Sequence, residues 1–267
     1  MNIIRIKNLE DPALQPYRTM RRPVEHEKIG SFVAEGEKVV RRLVASNLVI
    51  VSAFMTDEWL EQYQPLLKGR QEIPVYVAAK TLLESIVGFE LHQGIMAVGK
   101  TPKPPTLGEV LKSVPRPYFF AAVDGLTNSE NLGVIVRNCA AFGIQALLVG
   151  ETSSSPYLRR AVRNSMGAIF SLPVVPCTDL SAQLRELRSA NDLRVIAAHP
   201  AGDGRLAQTD LKGNLCFVFG SEGNGVSKKV LEACSDRVSI PMEQGVDSLN
   251  VASASAAFLF EAVRQRG

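Results

Sequence analysis

The sequence predicts an α/β fold in which a mainly parallel sheet is covered by helices and is preceded by a smaller α/β domain. In the second half of the chain, short apolar runs alternate with segments of helical periodicity, which is typical of parallel strands joined by helices. Before that half, five prolines between Thr101 and Pro117 interrupt the periodic pattern and favour extended backbone. We therefore predict domains at residues 1–105 and 118–267, joined by a Pro-rich linker at 106–117.

The expected elements follow from the spacing of apolar residues, which is two in strands and three or four in helices. The first domain is expected to hold a helix from Glu35 to Ala45, a strand in LVIVS, a helix in DEWLEQYQPLL, and strands in IPVYVA and GIMAVG. The second domain is expected to hold strands in FFAAVD, ALLVG, RVIAA, LCFVF and RVSI.

Composition limits the class of protein. A chain of 267 residues suits one large or two ordinary domains, and an apolar content of 46% allows packed cores. The four cysteines form no C-x-x-C pair, and His26, His92 and His199 are scattered, so we expect no metal site and no disulfide framework. The formal charge of +3 permits an RNA partner without demanding one.

The sequence also bears on location. No apolar run approaches about 18 residues, the length that a membrane-spanning helix needs. The start, MNIIRIKNLE, lacks the layout of a signal peptide. We expect no membrane insertion or export, and the cytoplasm as the default compartment.

A glycine-rich loop, GSEGNG from Gly220 to Gly225, follows the apolar run LCFVF and precedes a helical pattern in VSKKVLEAC. A strand, a glycine-rich turn and a helix N-terminus form a common place to bind a nucleotide. Because Glu222 would repel a phosphate, the loop suits hydroxyls, amides or a cationic group. A plain turn that needs glycine for its backbone conformation is the alternative.

A second loop, DGLTNSENLGVIVRNCAAFG, follows the strand-like YFFAAV. Asn131 is expected to cap a helix there, with a buried side formed by apolar residues at helical spacing. Arg137 falls between those buried positions, so its guanidinium must reach a carboxylate, a phosphate or the solvent. An ordinary arginine that extends to the surface is the alternative.

The end of the chain, VSIPMEQGVDSLNVASASAAFLFEAVRQRG, predicts a strand from Val238 to Pro241 and a helix that begins near Ser248, whose hydroxyl is expected to cap it. The small residues of that helix's first turns allow a ligand or a second backbone to approach closely. A buried alanine-rich core helix is the alternative.

Together, the three segments resemble the signature motifs of the SpoU/TrmH family, the RNA ribose 2′-O-methyltransferases of the SPOUT class. The resemblance lies in N-L-G with an arginine six residues after the asparagine, G-S-E-G-x-G after a strand, and I-P-M followed by S-L-N-V. It extends to FVAEGEKVVRRLVAS and LHQGIMAVGK, which resemble the substrate-binding domain of longer members.

The resemblance implies a deep trefoil knot and S-adenosylmethionine as the cofactor. It places that cofactor between the glycine-rich loop GSEGNG and the C-terminal segment, near the backbone of Gly220, Ile240 and Leu249. It implies that the catalytic residues are Arg137, Asn131, Glu222, Ser248 and Asn250.

The role of Arg137 stays open between two mechanisms. Family mechanisms treat this arginine as the general base, yet a guanidinium with a pKa above about 12 accepts protons poorly at neutral pH. We favour a cation that stabilises the developing alkoxide and binds a nearby phosphate, with the proton leaving through another group or water.

Structured RNA is the expected partner, and its phosphates call for basic residues. Candidates are Arg41, Arg42, Arg159, Arg160 and Arg163, the last three on a short helix or turn of the second domain. Acidic residues are interleaved among the N-terminal bases, so a merely solvated charged surface is the alternative.

A homodimer is also expected. The C-terminal helix carries Phe258, Leu259, Phe260 and Val263, more apolar surface than a cofactor covers, and large exposed apolar patches usually mark a partner. The resemblance implies pairing through this helix and the helix of the first motif.

Three functions remain in competition. The resemblance implies ribosomal RNA as the methylated substrate, because an N-terminal substrate domain accompanies ribosomal RNA targets in that family, with transfer RNA as the alternative. A non-catalytic RNA-binding or ribosome-assembly protein would have lost Arg137, Asn131 or the SLN turn, and none is lost. A dinucleotide-dependent enzyme needs a glycine fingerprint that DGLTNSENLG does not provide.

Overall fold

A computed structural model describes residues 1–8, 10–69, 73–87 and 93–267. Leu91 and His92, at the start of LHQGIMAVGK, lie outside the described residues. The chain divides into two compact units. The first unit comprises Met1–Lys103 and Tyr157–Phe170, and the second comprises Pro104–Pro156 and Ser171–Gly267.

The first unit is built on a five-stranded mixed sheet with the strand order β1-β4-β3-β5-β2. Its strands are β1 (Asn2–Arg5), β2 (Ser31–Glu35), β3 (Ile50–Met55), β4 (Pro74–Val77) and β5 (Ile95–Lys100). Strands β1, β4 and β3 are parallel, whereas β5 is antiparallel to both β3 and β2. The N-terminal helices are α1 (Gln15–Arg18), α2 (Pro23–Lys28), α3 (Glu37–Ala45), α4 (Asp57–Leu67) and α5 (Lys80–Val87).

The helix predicted in DEWLEQYQPLL is confirmed as α4. The helix predicted from Glu35 begins two residues later, because Glu35 is the buried last residue of β2 and pairs with Met96. Gly36 separates the two elements with a φ of +90°, a conformation that glycine adopts at little cost.

The rest of the chain supplies seven further strands and six further helices, all within its described residues. The strands are β6 (Phe119–Asp124), β7 (Ala146–Val149), β8 (Val174–Pro176), β9 (Arg194–Ala198), β10 (Gly204–Arg205), β11 (Leu215–Gly220) and β12 (Asp236–Ser239). The helices are α6 (Leu107–Ser113), α7 (Ser129–Ala141), α8 (Arg159–Asn164), α9 (Leu180–Asn191), α10 (Lys228–Ala233) and α11 (Val251–Arg266).

The second unit contains a seven-stranded sheet with the order β10-β12-β9-β11-β6-β7-β8, and every adjacent pair is parallel. The predicted α/β class with a mainly parallel sheet is therefore confirmed. Strands β8 and β10 were not predicted, because runs of three and two residues carry too little periodicity. The last strand ends at Ser239 rather than at the predicted Pro241. The trefoil knot stays a prediction.

Helices cover both faces of this sheet. On one face, Phe120 and Val218 share a buried cluster with residues of α6, α9 and α10. On the other face, the rings of Phe217 and Phe219 lie 5.3 and 6.0 Å from the ring of Phe258 in α11, which also packs against α7. Alternate residues of one strand thus serve opposite layers.

The region predicted as a linker, 106–117, contains helix α6 and is not a linker in the structure. Thr106 and Glu109 form a capping box at its start, and Leu107 and Val110 are buried in the core of the second unit. The prolines therefore mark the approach to a unit boundary after Lys103 rather than an extended connection.

Segment Tyr157–Phe170 also departs from the prediction, because it packs with the first unit although its neighbours in sequence belong to the second.

No helix among the described residues is long and apolar enough to span a lipid bilayer.

Candidate active site

A cavity of about 390 Å³ opens where strands β9, β11 and β12 of the second unit end. Ligands of open α/β sheets bind at the carboxyl ends of the strands, so this is the expected place for one. Its lining includes all three predicted cofactor residues and two predicted catalytic residues: Gly220, Ile240, Leu249, Glu222 and Ser248.

A cluster of three polar side chains joins the three motif segments beside this cavity. Asn131 Nδ2 and Asn250 Nδ2 each donate a hydrogen bond to Glu222 Oε1 at 2.6 Å. Asn250 Nδ2 also donates to Asn131 Oδ1 at 3.1 Å. The structure therefore brings together Asn131, Glu222 and Asn250, three of the five residues that the resemblance implies to be catalytic, and the Glu222 carboxylate accepts from two side-chain amides.

The helix caps differ from the prediction. Asn128, not Asn131, caps α7, because its side-chain oxygen accepts hydrogen bonds from the backbone N–H groups of Glu130 and Asn131. Asn250, not Ser248, caps α11 by accepting from Ala252 and Ser253.

Ser248 lies exposed in the loop before α11. Its predicted capping role is therefore corrected. Its hydroxyl stays available on the cavity wall, since it is not used to stabilise the helix.

Gly220 is required by a close approach of two backbone segments. A Cβ atom at this position would lie 2.1 Å from the carbonyl carbon of Gly225 and 2.2 Å from the backbone nitrogen of Val226. Ser221 and Gly225 exchange backbone hydrogen bonds of 3.0 and 2.9 Å across the same loop. The glycine thus shapes the loop that borders the cavity.

Asp124 holds the far end of that loop, a role that sequence analysis missed. This buried aspartate ends β6, and its Oδ2 atom accepts a hydrogen bond of 2.7 Å from the backbone N–H of Ser227. An acidic residue at the end of an apolar strand, followed by glycine, was the available signal.

Arg137 lies on α7 with its side chain exposed to solvent. Its neighbour Asn138 ties α7 to α11 by donating hydrogen bonds of 2.9 Å to Ala252 O and Ser255 Oγ. Within the described part of the chain, Arg137 forms no hydrogen bond or ion pair. The guanidinium is thus carried by a fixed helix and is available to a ligand.

His199 is a second residue that sequence analysis missed. It follows β9 directly, lines the cavity and accepts a hydrogen bond at Nδ1 from the backbone N–H of Ala201, at 3.2 Å. Its position just after an apolar strand was the available signal.

The arginines predicted to contact RNA all lie in the first unit, and several have protein partners. Arg159 is only 12% exposed and forms an ion pair with Glu35, which is 7% exposed, so the prediction of a phosphate contact is corrected for this residue. Arg163 lies 3.5 Å from the same carboxylate, and Arg41 pairs with Glu37. The remaining two, Arg42 and Arg160, have exposed side chains, and Arg42 donates to the carbonyl oxygen of Met166.

The segment Tyr157–Phe170 also packs against the first unit through aromatic rings. The ring of Phe32 lies 5.5 Å from that of Tyr157 and 5.4 Å from that of Phe170. Burial raises the pKa of Tyr157 to about 12. The segment is therefore part of a packed core.

The apolar surface of α11 is smaller than predicted. Phe258 and Leu259 are buried, whereas Phe260 is 59% and Val263 37% exposed. The ring of Phe142, at the end of α7, lies 6.4 Å from that of Phe260. An exposed apolar face thus remains where the two helices meet.

Comparison with known proteins places these features in a family. The chain matches the model of the SpoU rRNA Methylase family over residues 118–260. An uncharacterized tRNA/rRNA methyltransferase of Mycobacterium tuberculosis is 32% identical over 264 residues, covering 96% of this chain and 90% of that protein. The 23S rRNA (guanosine-2′-O-)-methyltransferase RlmB of Yersinia pestis is 34% identical over 209 residues, covering 76% and 84%.

Solved structures agree with the fold. The AdoMet-bound rRNA methyltransferase of Sinorhizobium meliloti has a TM-score of 0.85 at 23% identity, covering 98% of each chain. Since the family model spans more than half of the chain and includes the cavity loops and the Asn131–Glu222–Asn250 cluster, the chain belongs to the SpoU rRNA methylase family.

Proposed function

We propose that this chain is an S-adenosylmethionine-dependent methyltransferase that methylates a ribose 2′-hydroxyl of ribosomal RNA. The observation that carries the proposal is the cluster of Asn131, Glu222 and Asn250, which unites three distant motif segments beside a cavity. Family membership supports the reaction class, and the relative from Yersinia pestis is named for this reaction on 23S rRNA.

The cavity suits the proposed cofactor. Its volume of about 390 Å³ falls in the usual range for small-molecule sites, and such sites combine apolar walls with a few polar groups. Phe219, Ile240 and Leu249 supply apolar wall, while Ser221 and Glu222 supply polar groups. The glycine-rich loop offers backbone N–H and C=O groups without side-chain bulk.

S-adenosylmethionine, when bound, supplies a methyl group on a positively charged sulfur. The task of the protein is to align a ribose oxygen with that group and to help the hydroxyl lose its proton. Asn131 and Asn250 hold the Glu222 carboxylate in one orientation, which we assign to positioning the ribose. Ser248 offers a hydroxyl on the same wall.

Arg137 is assigned to the RNA. Its guanidinium is exposed and has no hydrogen-bond or ion-pair partner among the described residues, so it suits a phosphate or the negative charge that develops on the attacking oxygen. A guanidinium is a poor proton acceptor at neutral pH, so the proton leaves through another group or water.

Ribosomal RNA is the favoured substrate, and transfer RNA is the alternative. The Yersinia pestis relative is named for rRNA, while the mycobacterial relative is named for both classes. Exposed Arg41, Arg42, Arg160 and Arg163 on the first unit are assigned to phosphate contacts. A substrate of this kind implies work in the cytoplasm, where ribosomes are assembled.

We further propose a homodimer that pairs through α7 and α11. The exposed side chains of Phe260 and Val263, together with the ring of Phe142, give an apolar face where the two helices meet. Exposed apolar faces of this kind are common at two-fold interfaces.

One experiment tests the main proposal. The protein is incubated with labelled S-adenosylmethionine and either 23S rRNA or total tRNA from a strain that lacks its gene, and the labelled nucleotide is mapped. We expect one ribose-methylated position in 23S rRNA. Label in tRNA alone would select the alternative substrate, and cofactor binding without label in either RNA would select the non-catalytic function.

A further inference from the structure

The turn that follows β9 is pinned to β12 beside the cavity. The backbone N–H of His199 donates to Val238 O at 3.0 Å, and the N–H of Gly202 donates to His199 O at 3.0 Å. A Cβ atom on Gly202 would lie 2.7 Å from the carbonyl carbon of Val238, so the turn is pressed against that strand. The backbone of His199 is thereby held in place on the cavity wall.

The imidazole ring of His199 is also oriented. Its Nδ1 atom accepts a hydrogen bond of 3.2 Å from the N–H of Ala201, so in the neutral ring the proton resides on Nε2. Nε2 has no hydrogen-bond partner among the residues that the structure describes. The Nε2–H group of this half-buried, oriented ring is therefore available to donate to a ligand.

The charges of the cavity indicate which group this donor would meet. Glu222 and Asp247 are acidic, and His199 is the one side chain of the described lining that can carry a positive charge. S-adenosylmethionine has a single anionic group, the carboxylate of its methionine part, beside a cationic amine and a cationic sulfur. The carboxylate and the two acidic side chains would repel each other, so His199 is the complementary position for it.

We propose that His199 Nε2–H donates a hydrogen bond to the carboxylate of the cofactor and so sets the orientation of its methionine part. The inference rests on the proposed function, because it assumes that the cofactor occupies this cavity. It makes His199 a cofactor-binding residue outside the three motifs.

Two substitutions distinguish the acceptor role of Nδ1 from the donor role of Nε2. In His199→Asn, the amide oxygen can still accept from Ala201 N–H, as asparagine does in turns, while the distal donor is lost. In His199→Gln, an amide N–H can reach the position of Nε2. We expect His199→Asn to lower the affinity for S-adenosylhomocysteine about tenfold, and His199→Gln to lower it less.

The ligand provides the second half of the test. Calorimetry would compare S-adenosylhomocysteine with its decarboxylated analogue, on wild-type protein and His199→Asn. Loss of the carboxylate should weaken binding to wild type about tenfold but leave binding to His199→Asn nearly unchanged, because the partner is already missing. Matching thermal unfolding midpoints would exclude a misfolded variant.

The outcomes are distinct. A wild-type protein that binds neither ligand would count against the proposed cofactor site itself. If wild type binds S-adenosylhomocysteine and His199→Asn binds it equally well, the inference about His199 is overturned and the cofactor site stands. If the substitution weakens both ligands by the same factor, His199 does not contact the carboxylate.

Discussion

Asn131 Nδ2 lies 2.6 Å from Glu222 Oε1, although 91 residues separate the two in sequence. Asn250 donates to the same oxygen, so one carboxylate connects the first turn of α7, the loop after β11 and the cap of α11. These hydrogen bonds join side chains and involve a charged acceptor, which makes them stronger than neutral ones. They orient a polar group at the edge of the cavity.

Replacing Glu222 with alanine should therefore disorder the cluster. Two side-chain amides lose a shared, charged acceptor, and we expect the methylation rate to fall at least about tenfold. Single-turnover transfer of labelled methyl to RNA measures the effect. Glu232→Ala, which removes an exposed glutamate from α10, is the matched control and should leave the rate unchanged. Equal rates for both variants would contradict the assigned role.

Arg137→Ala separates catalysis from folding. The side chain is exposed and forms no hydrogen bond or ion pair within the described residues, so the free energy of unfolding should change by less than about 0.5 kcal/mol. Binding of S-adenosylhomocysteine should persist while methylation is lost, because the guanidinium acts on the RNA. Parallel urea unfolding, calorimetry and methylation assays check the three expectations. A variant that methylates within a few-fold of wild type would refute the role.

Gly220→Ala and Gly223→Ala test the loop after β11. A Cβ at Gly220 would collide with the backbone of Gly225 and Val226, whereas a Cβ at Gly223 meets no atom within 4 Å. Overpacking of this kind costs about 1–3 kcal/mol, so Gly220→Ala should lower both stability and cofactor affinity. Gly223→Ala should leave the stability unchanged, because its Cβ has open space. Denaturant unfolding and calorimetry measure the pair, and similar effects at both positions would contradict the loop geometry.

Several features of the site were predictable, and the others depend on distant partners. The apolar runs of β6 and β11 predicted their strands, because bounded apolar segments depend only on local sequence. The caps were mispredicted because each helix start offers more than one residue that can cap it, namely Asn128, Ser129 and Asn131 at α7, and Ser248 and Asn250 at α11. Asn131 and Asn250 also donate hydrogen bonds to Glu222, and no local pattern in the sequence reveals these long-range contacts.

The Arg159–Glu35 ion pair illustrates the same limit. Its members are 124 residues apart in sequence, so the charged run that contains Arg159 looked like a surface for RNA. Only the folded first unit brings the buried Glu35 carboxylate to it.

Arg159→Ala should destabilise the first unit. Removing one partner of a buried ion pair leaves an uncompensated charge, and we expect a loss of about 3 kcal/mol in the free energy of unfolding. Arg41→Ala is the control, because the Arg41 side chain is 53% exposed and its pair with Glu37 should contribute less than about 1 kcal/mol. Denaturant unfolding compares the two. If Arg159→Ala lost no more stability than the control, Arg163, whose Nη1 atom lies 3.5 Å from Glu35 Oε1, would be enough to compensate the Glu35 carboxylate.

The proposed dimer can be tested at Phe260. Phe260→Glu places a charge on a side chain that is 59% exposed, so the subunit should fold normally while a paired apolar face is disrupted. Phe258→Glu is unsuitable, because Phe258 is buried against Phe217 and Phe219 and a charge there would unfold the second unit. Light scattering should report twice the chain mass for wild type and the single chain mass for Phe260→Glu.

Ile29→Glu is the matched control for this test. Ile29 is 63% exposed, lies in the first unit and belongs to neither α7 nor α11. It should remain dimeric. Methylation should fall only in Phe260→Glu, because α7 carries Arg137 and α11 begins at the Asn250 cap, so an interface on these two helices would support both ends of the site. A wild-type protein that is monomeric at micromolar concentration and fully active would refute the dimer, whatever the variants do.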